Sequence, residues 1–93
     1  MSAPTVDASS VACIARGHRL QYEPAQDCHV LLYPEGMVTL NAPATEILSR
    51  CDGQRTVGEI CSLISAEFDG ADVTDDVIDF VKLAASHGWV RLT

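Results

Sequence analysis

The sequence predicts an α+β domain in which a three-stranded antiparallel sheet is followed by three helices. Alternating apolar and polar residues are confined to residues 18–40. Apolar residues at helical spacing fill residues 42–88. Between them, in GMVTLNAPATEILSRCDGQRT (Gly36 to Thr56), a short apolar run meets a capped amphipathic segment with almost no loop.

Residues 1–17 are rich in Ser and Ala, and no period is sustained there. They read as a flexible tail, with residues 18–93 as the domain proper. His18 to Glu23 places Leu20 and Tyr22 on one side of a first strand, and Arg19, Gln21 and Glu23 on the other. Pro24 to Asp27 is a turn. In a second strand, Cys28 to Tyr33, Val30 and Leu32 oppose His29, Leu31 and Tyr33. Pro34-Glu35-Gly36 suits a tight reversal, because Pro fixes φ and Gly has a permissive backbone. The third strand, Met37 to Leu40, turns Val38 and Leu40 inward and Met37 and Thr39 outward. Short turns make these strands an antiparallel meander whose edges are the first and third strands.

Asn41 is positioned to cap the first helix, and Pro43 in its first turn needs no N–H. Ala44, Ile47, Leu48 and Cys51 share its inner face, and Asp52-Gly53 is expected to stop it. Thr56-Val57-Gly58-Glu59 is a capping box opening a second helix to about Phe68, with Ile60, Cys61, Ile64 and Phe68 inward. A third helix begins near Asp72 or Thr74, where Asp75 and Asp76 suit the positive end of the dipole. Its stripe is Val77, Phe80, Val81, Ala84 and Ala85, and Gly88 ends it before Trp89-Val90.

Ninety-three residues suffice for one modest core. No apolar run approaches the ~20 residues of a membrane span, and no basic-then-apolar signal opens the chain, so a cytoplasmic protein is expected. The net charge is −7, of which −5 falls on residues 56–93. That surface repels phosphate and argues against nucleic acid. The four cysteines lack CxxC spacing, and Cys51 and Cys61 fall on apolar helix faces, which suits reduced structural thiols. His18, His29 and His87 are scattered, and the Asp72, Asp75, Asp76, Asp79 series reads as a solvated helix start. No nucleophile elbow, phosphate loop or HExxH motif is present, so neither enzyme activity nor a metal or cofactor is expected.

Two features suggest binding. An edge strand exposes N–H and C=O groups that an incoming peptide can use. Leu83 lies off the apolar stripe of the third helix, on one flank with Asp76, Phe80 and His87.

The run PEGMVTLNAPATEIL, CDGQRTVGEI after it, and GWV near the end resemble the pyrroloquinoline quinone biosynthesis protein D (PqqD) family over roughly His18 to Val90. The ordered set Pro34-Glu35-Gly36, Leu40-Asn41, Ile47-Leu48, Asp52-Gly53 and Thr56-Val57 carries the likeness. It implies a winged-helix-like domain that recognises ribosomally made precursor peptides. The implied role is a peptide chaperone that binds PqqA and presents it to the radical S-adenosylmethionine enzyme PqqE. The implied site is a strand-addition groove of Met37, Val38, Thr39 and Leu40 facing Asp76, Phe80 and Leu83. A free edge strand also allows a homodimer. The rival classes are a winged-helix nucleic-acid binder and a small thiol or metal protein.

Overall fold

Two small antiparallel sheets and three helices enclose one core in the computed structural model, which describes residues 5–93. The expected α+β class and the expected meander are both present. In the meander, β2 (Arg19–Glu23), β3 (Cys28–Tyr33) and β4 (Gly36–Leu40) lie in the order β2-β3-β4. Leu20, Leu31 and Val38 stand opposite one another on its core-facing side, with Leu31 fully buried. Asp27 closes the β2–β3 turn at a positive φ of 51°, its amide bonded to the Pro24 carbonyl.

At the end of β4 the Asn41 side chain accepts from the Ala44 amide at 2.9 Å and opens α1 (Ala42–Leu48). The helix stops earlier than the apolar spacing predicts. After Leu48 the chain tightens into three-residue bonds, Arg50 to the Ile47 carbonyl and Cys51 to the Leu48 carbonyl. That turn still delivers Cys51 into the core. Asp52-Gly53, expected as a helix stop, instead begins β5 (Asp52–Thr56). The Asp52 carboxylate accepts from the Gln54 and Arg55 amides, and Gly53 takes a φ of +80° against Cys13.

The Thr56/Glu59 capping box is complete and opens α2 (Val57–Glu67). α3 (Thr74–Ser86) follows, and its Val77, Val81 and Ala84 are buried as the stripe requires. Val77 and Val81 each contribute roughly 1.5–3 kcal/mol on burial. Phe68, expected inward, is 51% exposed. Regular helix ends one residue before it, so the helical wheel no longer governs where it points.

The second sheet was not anticipated. Its central strand is β1 (Val11–Ile14), paired on one side with β5 and on the other with β6 (Val90–Leu92). The expectation of a flexible tail over residues 1–17 therefore fails at Val11–Ile14, where Ala12 has no exposed surface. Val6 is buried as well, so the fold begins well before His18. Ahead of β1, the Ser10 and Ala8 carbonyls accept from the Val57 and Gly58 amides at 2.7 and 2.9 Å. These amides at the start of α2 have no partner within the helix, so the amino-terminal segment completes its cap. Residues 1–4, also part of the expected tail, lie outside the described residues.

Candidate functional site

β4 pairs only with β3 among the described strands, so its other side is an open edge. The turn decides which backbone groups face outward. Tyr33 stands opposite Gly36 across the two-residue loop Pro34-Glu35. Were that pair a wide one, the Pro34 nitrogen would have to donate, and proline has no N–H. Tyr33 and Gly36 therefore exchange hydrogen bonds directly. Alternation along the unbroken register gives Leu31–Val38 and His29–Leu40 as the next bonded pairs. Met37 and Thr39 are left with N–H and C=O directed away from the sheet. The edge thus presents two donors and two acceptors, on residues two positions apart.

The side chains alternate with the backbone. Leu40 is buried, Val38 is half-buried against the core, and Met37 and Thr39 are exposed. On α3, Phe80 is half-buried against the same core, while Asp76 and Leu83 are exposed, Leu83 by 47%. Of the seven residues of the implied groove, Val38, Leu40 and Phe80 thus touch the core and Met37, Thr39, Asp76 and Leu83 face solvent, and β4 and α3 share few contacts with each other. Beyond Leu83, the His87 ring stacks on Trp89 with centroids 4.9 Å apart.

An apolar cleft of about 350 Å3 escaped the sequence reading. Pro43 and Ile47 of α1, Ile64 and Phe68 at the end of α2, and Val73 and Val77 at the start of α3 wall it. Asp76 and Glu46 are the carboxylates in its lining. Arg50 bridges Glu46 at 2.7 Å and also Glu67, and its hydrogen bond holds the Glu46 carboxyl below the usual carboxylate range. The available sequence signal was Phe68 beside Asp69-Gly70, an aromatic placed where a helix was about to end.

The thiols have the character of core residues. Burial, with smaller contributions from Asp52 and Cys13, pushes the Cys51 thiol up to about 12, and burial also raises Cys61. The thiolate is the nucleophilic form, and both sites disfavour it. Among the described residues, no three His, Cys, Asp or Glu side chains are grouped to hold a metal ion. No described helix is long and apolar enough to cross a membrane.

Residues 28–90 match the family described as coenzyme PQQ synthesis protein D (PqqD). The chain belongs to the PqqD family. A relative from Pseudomonas paraeruginosa, named PqqA binding protein, is 46% identical over 99% of both chains. One of the same name from Rahnella aquatilis is 47% identical over 81% of this chain and 80% of its own. The PqqD fold is also matched in three dimensions. The solution structure of the PqqD part of Methylobacterium extorquens PqqCD, described as a functional, stand-alone RiPP recognition element, superposes with a TM-score of 0.83. It shares 26% identity and is covered to 99%, against 98% of this chain. The crystal structure of Xanthomonas campestris PqqD gives a TM-score of 0.57 at 31% identity, over 94% of this chain and 99% of that one.

Proposed function

We propose that this chain is a non-catalytic, cytoplasmic peptide chaperone of pyrroloquinoline quinone biosynthesis, which binds PqqA and presents it to the radical S-adenosylmethionine enzyme PqqE. The observation that carries the reading is the open edge of β4, where Met37 and Thr39 offer backbone donors and acceptors. In this reading PqqA adds as a fourth strand, and the Asp76, Phe80 and Leu83 flank of α3 receives its side chains. The names of the relatives support the choice of peptide. An acidic surface suits a peptide ligand better than a nucleic acid. Net backbone hydrogen bonds are worth only about 0.5–1.5 kcal/mol each, so micromolar binding, near −8 kcal/mol, also needs apolar contacts. Phe80 and Leu83 supply them. Without peptide, the same edge is free to pair with a second copy of the chain.

Titration of fluorescently labelled PqqA into the full chain tests the reading. Saturable binding is expected, and Thr39→Pro is expected to remove it without unfolding the protein. No binding by the wild-type chain, with or without PqqE, would refute the assignment. Presentation is tested separately, as a dependence of PqqA cross-linking by PqqE on added chain.

A further inference from the structure

The cleft walled by Pro43, Ile47, Ile64, Phe68, Val73 and Val77 has two borders toward the candidate groove, one through the chain and one through a shared residue. On one border, β4 ends at Leu40, and the chain passes through the Asn41 cap directly to Pro43 in the cleft wall. On the other, Asp76 belongs to the cleft and also begins the Asp76, Phe80, Leu83 flank of α3. A strand lying along β4 would run toward the cleft as it passes the carboxyl end of β4. We infer that the cleft is the terminal subsite of the peptide groove, and that it takes an apolar side chain flanked by a Lys or Arg of the same peptide. This rests on the strand-addition reading above.

Three observations select that occupant. The walls are apolar, and the half-exposed Phe68 forms one of them, a surface whose coverage is favourable. The volume of about 350 Å3 lies at the bottom of the roughly 300–1,000 Å3 that small-molecule sites span, which suits one large side chain with part of its neighbour. Of the lining carboxylates, Glu46 is bridged by Arg50, while Asp76 belongs to residues 56–93, of charge −5, so a basic neighbour is attracted at the Asp76 side and an acidic one repelled. Direction follows from the sheet. The meander is antiparallel throughout, and antiparallel pairing is the stronger kind. An antiparallel peptide begins at the carboxyl end of β4, so the seated side chain lies on the amino-terminal side of its strand-forming segment.

Two measurements on the full chain decide the matter. In methyl NMR, PqqA is expected to shift the Ile47, Ile64 and Val77 methyl signals and to give intermolecular contacts to them. A PqqA truncated on the amino-terminal side of its strand segment should bind β4 and leave those methyls unmoved. Ala71→Trp, at an exposed loop position lining the cleft, should fill it and weaken PqqA at least tenfold with the dichroism spectrum unchanged. Unshifted methyls, or wild-type affinity in Ala71→Trp while Thr39→Pro still abolishes binding, would overturn the subsite and leave strand addition standing. Methyl shifts that grow with protein concentration without peptide would assign the cleft to a second copy of the chain and likewise overturn it. Loss of PqqA binding by the wild-type chain would remove both readings together.

Discussion

The two three-stranded sheets are built on opposite plans. β2, β3 and β4 follow one another in sequence, joined by short turns, and end on an open edge. β1, β5 and β6 come from three distant parts of the chain, and their central strand is sealed on both sides. The first sheet is cheap to form and exposes backbone; the second is costly in loop closure and hides it. In the proposed reading, the difference separates a sheet that recognises from a sheet that holds. Substitutions in the sealed sheet should act on folding, and those on the outer groups of the open one on binding.

The largest effect is expected at Ala12, the fully buried residue of β1. Ala12→Asp places a carboxylate with no partner in the core and should cost more than about 3 kcal/mol, enough to unfold most of a marginal domain. A cooperative melt close to wild type would show that the second sheet is dispensable, and the contrast would collapse. Next come two adjacent prolines in β4. Val38 donates its N–H to β3, so Val38→Pro should lose about 3 kcal/mol and the meander's dichroism. Thr39 directs its N–H outward, so Thr39→Pro should stay folded and lose the peptide. The reverse outcome would show the backbone phase of the edge to be inverted.

Leu83 is 47% exposed, so Leu83→Asp should leave stability within about 0.5 kcal/mol yet weaken PqqA at least tenfold, about 1.4 kcal/mol. Unchanged affinity by calorimetry would remove Leu83 from the site. Gly58→Ala probes the sealed half more gently. Inside a helix this change usually stabilises by about 1 kcal/mol. Here the new methyl lies 3.1 Å from the Ala8 carbonyl, and the melting temperature should instead fall by a few degrees. A rise would mean that the Ala8 segment yields to α2 at no cost. The smallest effect is expected from Asp76→Asn with Asp79→Asn, both exposed. The association rate and its salt dependence should drop by less than about tenfold in stopped flow, with the melting temperature unchanged.

The same contrast explains what the sequence disclosed. Hairpins, caps and amphipathic faces are set by residues within a few positions of one another, so the meander, the Asn41 cap and the Thr56/Glu59 box were legible. Val11–Ile14 is four residues long, and only Thr56, Asp52 and the Val90–Leu92 strand make it a strand. Nothing near it in sequence records those partners. Asp52-Gly53 carries signals that suit a helix stop as well as a strand entry. Of the candidate site, Leu83 stood out as an apolar residue off its stripe, and Met37 and Thr39 as the outward half of an alternation. The cleft is formed where three helices meet, and no single stretch carries its shape.

The central position of β1 has a consequence for the chain during its synthesis. β1 leaves the ribosome before any strand it pairs with, and both of its edges stay open until β5 and then β6 have been made. The meander has closed by then, since its three strands are complete once Leu40 has emerged. A nascent chain thus carries a finished open edge and an unfinished apolar strand together. The interval between Leu40 and Val90 is when this protein is most exposed to mispairing, and slower elongation across it lengthens that exposure.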